Sequence, residues 1–379
     1  MKISKKCSIC NKKLKNFFDL GAHPCADTFL KKKNSAKKLK RYPLIVGYCT
    51  CNHLTNVYKV SPFERYKKND YSYTSNNSII SRSHFKNIAK KISKEFRINK
   101  DSKIIEIGSN DGTFLRNIEK YSGAQVLGID PSDNISRKAK KKGLASLNVF
   151  FDIKIAKNIS DDFGKFDVLY GANVFNHVEG PKNFLNACKK VLKNNGTIIL
   201  EVPDLNALLN EVGFDTIYHE HRQFFSIESL RKVFNSVNLK IYKVQKIKYM
   251  SGSLRIFSKN IEKKTVNISK KFNHDKFNKF KTKVPKIKEE ILNFIENNKV
   301  QNKAIICIGA ATKGNTLLNY CKLNDKNIKY IYDITPEKIN KYTPGSGIKI
   351  IKEREIKKNE AVIVLPWNIT NYIYKKLLH

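Results

Sequence analysis

The stretch Lys103-Ile-Ile-Glu106-Ile-Gly108-Ser-Asn110-Asp111-Gly112 decides how this chain folds. After Lys103 its first half is an apolar run broken only by Glu106, and its second half is a glycine-bounded loop. A run of this kind reads as a buried parallel strand feeding a helix. Glycines there let the backbone turn tightly and approach a ligand. The pattern repeats outward. Residues 124–130 (AQVLGID) form a second strand ending in Asp130, residues 166–173 (FDVLYGAN) a later one, and residues 197–202 (TIILEV) another after the turn at Asn194-Asn195-Gly196. Residues 181–192 have helical spacing. Strands alternating with helices predict an α/β domain built on a parallel sheet. Helices are expected at 62–68 and 81–96, ahead of the first of these strands.

A carboxylate placed like Asp130 accepts hydrogen bonds from ribose hydroxyls. Nicotinamide enzymes show the same pairing of glycine loop and acid, but this loop lacks the full G-x-G-x-x-G. The segment 192–201, a turn and an outgoing strand, looks like the class I S-adenosylmethionine methyltransferases instead. On that reading Glu106, Gly108, Asn110, Asp111, Gly112, Asp130, Pro131 and Asn173 are the candidate cofactor-binding residues.

The chain has 379 residues, which fits two or three domains. Its hydrophobic share of 41% rules out global disorder. Lys and Arg total 73 against 33 Asp and Glu, a net charge of +40. Such a charge suggests nucleic acid or an anionic surface. However, lysine greatly outnumbers arginine, and the lysines lie in segments also rich in Asn and Ile. A coding bias explains that mixture without a nucleic-acid partner. No apolar run approaches the roughly 20 residues of a membrane helix, and the start has no apolar leader region. A soluble, cytoplasmic protein is expected.

Eight cysteines are too few for a disulfide scaffold, yet Cys7, Cys10, Cys25, Cys49 and Cys51 crowd the first 51 residues. In a reducing compartment such clustering points to metal. Cys7-x-x-Cys10 is half of a tetrahedral zinc site. Cys49-x-Cys51 is an irregular second half, and Cys25 or His53 is an alternative fourth ligand.

Phe214-Asp-Thr-Ile-Tyr218-His219-Glu220-His221 is the second chemical motif. Its histidines stand two apart, a spacing that would point them together from a strand but not from a helix. A His–Glu pair suits proton transfer, with Glu220 holding the imidazole or the substrate. His177 follows a strand's carboxyl end, where α/β sheets place ligands. A further glycine loop, Gly309-Ala-Ala-Thr-Lys313-Gly314-Asn315, follows a strand at 304–308, and Asp333 ends the next strand. Its amides could hold phosphate, although it is not a Walker loop. Residues 261–299 have apolar positions at helical spacing (Phe277, Phe280, Val284, Ile287, Ile291) and read as one connecting helix.

Taken in order, the segments GAHPCADTF (21–29), YSYTS (71–75), EIGSNDGTFL, GIDPSDNI, ANVFNHV, FDTIYHEH, GSLR (252–255), GAATKGNTLLNYC, YDITPEK, PGSGIKI and PWN (366–368) resemble the sugar C-methyltransferases of nucleotide-deoxysugar pathways. The resemblance spans nearly the whole chain. It implies an N-terminal zinc domain (1–62), a central S-adenosylmethionine domain (63–260), the connecting helix (261–299) and a Rossmann-like C-terminal domain (300–379). It implies His221 as catalytic base, with Tyr218, Glu220, His177 and Tyr73 around the sugar. Tyr71, Arg255, Lys313 and Asn315 are candidate substrate contacts. The implied partner is a nucleotide-linked keto sugar, dTDP-linked by resemblance, with S-adenosylmethionine and structural zinc as cofactors. A monomer or small homo-oligomer is expected, without nucleic acid or membrane. Three departures stand out. Tyr48 replaces the first cysteine of the usual second zinc pair, Met250-Ser251 replaces His-Gly, and the chain ends soon after Trp367-Asn368. The competing readings are a nucleic-acid methyltransferase or zinc protein, an epimerase-like or inactive relative, and a sugar-binding scaffold.

Overall fold

The computed structural model describes residues 2–68, 70–260 and 274–377. Its centre is a seven-stranded sheet in the order Leu239–Ile247, Ser253–Asn260, Leu192–Pro203, Phe166–Ala172, Lys103–Ile107, Gln125–Ile129, Ser146–Leu147. Ser253–Asn260 runs antiparallel to both of its neighbours, and the other pairings are parallel. This is the class I S-adenosylmethionine methyltransferase sheet, as the strand–loop–helix rhythm predicts. Lys103–Ile107 is an interior strand, between Phe166–Ala172 and Gln125–Ile129, because Ile104, Ile105 and Ile107 are apolar enough to be buried on both faces. The strand order reverses beside it, and that is where such sheets bind ligands.

The N-terminal module holds a four-stranded antiparallel sheet, ordered Gln223–Phe225, His53–Asn56, Tyr42–Cys49, Lys15–His23. Three of these strands are local. The fourth comes from far along the chain, directly after the Tyr218–His221 motif. Gln223, Phe224 and Phe225 pair with Thr55, Leu54 and His53. The N-terminal module and the central domain are therefore joined through the residues that follow the motif.

The helix His274–Val300 carries Phe277, Phe280 and Val284 into one core with Phe17 and Leu44 of the N-terminal sheet and Ile305 and Leu317 of the last domain. Phe17 and Phe277 meet edge-to-face at 4.5 Å between ring centroids. The first part of the expected connecting helix, 261–273, lies outside the described residues. The last domain has a four-stranded parallel sheet ordered Ile350–Lys352, Ile331–Asp333, Ala304–Ile308, Glu360–Val364. Among the described residues, no helix is long and apolar enough to cross a membrane.

Candidate active site and zinc site

A cavity of about 1240 Å³ lies where the N-terminal module, the central sheet and the last domain meet. One arm runs over the carboxyl end of Lys103–Ile107. Glu106, Gly108, Asn110, Asp130, Pro131 and Asn173 all line it. Gly108 has φ +71°, and a Cβ there would stand 3.2 Å from the Val174 side chain. The Glu106 Oε2 atom is buried without a hydrogen-bond partner in the chain. Burial, with Asp111, Asp130 and Glu201 nearby, pushes its carboxyl well above the usual range. The Asp130 carboxylate accepts the Asn110 amide at 3.0 Å and the Ser132 amide at 2.9 Å. A cationic amine and a ribose are the chemistry these two acids lack, and S-adenosylmethionine carries both. The arm therefore fits that cofactor.

Two expected cofactor residues do not line this arm. Asp111 accepts from Thr113 Oγ1 at 2.7 Å and pairs with Lys142 at 3.1 Å. Gly112 caps the helix Thr113–Ser122 at φ +77°, where a Cβ would fall 2.4 Å from Leu144. Asp111 is thus tied into the helix start, and Gly112 is required by packing. Sequence reasoning also missed Val149 and Phe150, which line the cavity beyond Asp130. They follow a two-residue strand too short to show a period.

The second arm holds His177, Tyr218, Glu220, His221, Tyr71 and Tyr73. The motif Tyr218–His221 lies in a turn, not on a strand, so its histidines part. His219 faces Tyr42, with ring centroids 5.8 Å apart. His221 faces His177 at 5.0 Å. His221 Nδ1 contacts the Thr216 carbonyl at 2.9 Å, and Nε2 contacts the Tyr218 hydroxyl at 2.6 Å. A carbonyl only accepts, so Nδ1 carries the proton and Nε2 is the basic nitrogen. Burial holds the His221 imidazole down at about 4. Burial also holds His177 well below its usual value, and its Nδ1 meets the Tyr66 hydroxyl at 2.7 Å.

Of the two roles expected of Glu220, holding the imidazole or the substrate, the first is not seen, and Glu220 still lines the cavity. Its Oε1 lies 3.2 Å from Arg65 Nε and accepts the Asp27 amide at 3.4 Å. Burial pushes its carboxyl up, against the pull of Arg65. Arg65 in turn pairs with Asp27, which also accepts from Ser72 Oγ at 2.5 Å and from Thr312 Oγ1 at 2.8 Å. Asp27 and Arg65 are almost fully buried. Neither was singled out from sequence. Asp27 lies in the GAHPCADTF segment, which was the one signal available.

Tyr73 and Tyr249 share a hydroxyl contact at 3.0 Å, and both touch Ser81 Oγ. The third arm reaches Gly309, Lys313 and Trp367. The Lys313 ammonium sits 3.9 Å from the Trp367 ring centroid and 3.7 Å from Asp215. Arg255 and Asn315 do not line the cavity. Arg255 donates to Glu201 at 2.6 Å inside the sheet, and Asn315 donates to the Ala26 carbonyl at 2.6 Å. Both side chains join elements of the fold.

Cys7, Cys10, Cys49 and Cys51 bring all four sulfurs within 4.8 Å of one another. Three of the spacings are 3.7 Å, 3.3 Å and 3.7 Å. A tetrahedral zinc with Zn–S near 2.3 Å sets its sulfurs about 3.8 Å apart. The donor set is therefore a closed four-thiolate site, and the irregular Cys49-x-Cys51 half completes it. Cys25 is outside this cluster. His53 adjoins it, with Nδ1 3.5 Å from Cys7 Sγ.

Three family models tile the chain. A zinc binding domain matches residues 7–66, a methyltransferase domain residues 81–244, and a C-methyltransferase C-terminal domain residues 252–379. In this order the three matches make up a C-methyltransferase with an N-terminal zinc-binding domain. The C-methyltransferase NovU of Streptomyces niveus is 25% identical over 92% of this chain and 86% of its own length. A ubiquinone biosynthesis O-methyltransferase of Bartonella bacilliformis is 26% identical but covers only 37% of this chain and 60% of its own. The solved PH0226 protein of Pyrococcus horikoshii covers 50% of this chain and 95% of its own at 17% identity, with a TM-score of 0.39. This C-methyltransferase uses S-adenosylmethionine and holds a structural zinc.

Proposed function

We propose that the chain methylates a carbon beside the ketone of a nucleotide-linked 4-keto-deoxysugar, with dTDP as the nucleotide. One observation carries the reading. His221 presents a neutral, basic Nε2 in the same cavity whose other arm fits S-adenosylmethionine. A proton on carbon beside a ketone is weakly acidic, and a fixed neutral imidazole is the group that takes it.

His221 Nε2 accepts that proton, and the Tyr218 hydroxyl turns from the nitrogen to the substrate oxygen. The electron pair left on carbon delocalises onto the ketone oxygen as an enediolate. His177 and Tyr73 hold the charged oxygen. S-adenosylmethionine, when bound, supplies an electrophilic methyl group. Glu106 and Asp130 orient that cofactor over the sheet. His221 then releases its proton to solvent. The diphosphate and base lie in the third arm, with Lys313 opposite the phosphate charge and Trp367 beside the base.

The test is a panel of dTDP- and UDP-linked 4-keto-6-deoxysugars, each incubated with methyl-labelled S-adenosylmethionine and read by mass spectrometry. A labelled sugar nucleotide is the expected result. In a parallel incubation with oligonucleotides, label incorporated there and into none of the sugars would favour the nucleic-acid reading instead.

A further inference from the structure

Asn56 ends the strand His53–Asn56 of the N-terminal sheet and is buried, with a relative exposure of 1%. Its side-chain Nδ2 donates to two backbone carbonyls, those of Tyr218 at 2.9 Å and His221 at 2.8 Å. One amide thus spans the ends of the turn that carries the proposed base. Neighbouring contacts tighten the same grip. The Asn56 amide donates to the Arg222 carbonyl at 3.1 Å, and Thr55 Oγ1 donates to that carbonyl at 2.8 Å. Upstream, the His53 ring lies against Phe225 at 5.2 Å and against Cys7 of the thiolate site. The strand that leaves the zinc site is therefore the strand that holds the motif.

We infer that Asn56 is a positioning residue through which the zinc module fixes the His221 ring. The His221 ring bonds within its own turn, through Thr216 and Tyr218. It faces the cavity correctly only if that turn keeps its shape. Two carbonyls converging on one NH2 group define the shape, because no other residue type of this size donates twice from one atom. An aspartate has the same outline but offers two acceptors to two acceptors, which repel. The catalytic meaning of this inference rests on His221 being the base. The geometric claim does not.

The experiment uses the zinc-loaded, full-length chain labelled with 15N-histidine and saturated with S-adenosylhomocysteine. The His221 ring signals are identified by their absence in His221→Asn. Wild type, Asn56→Asp and the milder Asn56→Ser are compared. We expect the exchange of the His221 Nδ1–H with solvent to rise at least tenfold in Asn56→Asp and less in Asn56→Ser. Zinc content and S-adenosylhomocysteine affinity should stay within twofold, and the ring signals of His84, bonded to Glu201 elsewhere, should not move. An unchanged His221 Nδ1–H in both variants overturns the inference, whatever happens to the melting temperature. So does zinc loss in both, which would make Asn56 part of the module's own fold. If Asn56→Asp fails to fold, Asn56→Ser alone decides. Failure of wild type to methylate any keto sugar would sink the proposed reaction without moving the ring signals, so the two failures are distinguishable.

Discussion

The Tyr218 hydroxyl donates to Nε2 of His221 across 2.6 Å, while the opposite nitrogen of the ring is tied to the Thr216 carbonyl. The ring is therefore held in one tautomer by its own turn. Glu220, its neighbour in the motif, is turned toward Arg65 and does not hold the ring.

This arrangement sets a pH dependence. The reactive form of His221 is neutral, and burial disfavours its cation. Protonation therefore waits until about pH 4, well below an ordinary imidazole. With a keto-sugar nucleotide as substrate, kcat/KM should stay level from about pH 8 down through the ordinary imidazole range near 6.5. It should then fall toward about pH 4. An acid limb centred near 6.5 would show that the base is not a buried histidine of this kind.

Glu106 should answer to the cofactor. Glu106 lines the cavity and its Oε2 is buried without a partner, so a cationic amine bound beside it gains a charge-assisted hydrogen bond. Glu106→Ala should weaken S-adenosylmethionine binding by about 10- to 100-fold, the effect of losing a charged hydrogen bond of roughly 1.5–3 kcal/mol. Calorimetry measures it. Unchanged affinity would remove Glu106 from the site.

Zinc should be present at one ion per chain and lost with the thiolates. Cys10→Ser should leave less than one zinc per chain by elemental analysis and lower the melting temperature, because zinc binding is coupled to folding of the module. Full zinc occupancy in that variant would contradict the four-thiolate assignment.

Asp27 ties together the helix Pro62–Tyr66, the segment at Ser72 and the start of the helix Thr312–Tyr320, through Arg65, Ser72 and Thr312. Removing one partner of a buried ion pair strands the other charge. Asp27→Ala should therefore destabilise the protein by about 3–5 kcal/mol. Denaturant unfolding followed by fluorescence checks this, and a loss under about 1 kcal/mol would mean that water replaces the carboxylate.

The central domain was legible because its signals are local. Lys103–Ile107 is apolar, Gly108 follows at once, and Asp130 ends the next strand. The cysteine pairs were legible for the same reason. What escaped is long-range. Nothing in the three residues Gln223–Phe225 indicates that they pair with His53–Thr55, more than 160 positions earlier. Likewise, no spacing rule connects Asp27 to Arg65 and Thr312. Arg255 and Asn315 were assigned to substrate from motif position alone. The side chains instead satisfy Glu201 and the Ala26 carbonyl, because a buried carboxylate and a buried carbonyl both need donors.

The most direct measurement uses dTDP-4-keto-6-deoxy sugars, S-adenosylmethionine carrying a 13C methyl group, and NMR of the product. Wild type should place the label on a ring carbon beside the ketone, as a methyl bonded to carbon. His221→Asn should bind S-adenosylhomocysteine and the sugar nucleotide within a few-fold of wild type. Its rate should be lower by on the order of a hundredfold or more. A label on oxygen or nitrogen, or near-normal turnover in His221→Asn, would contradict the account.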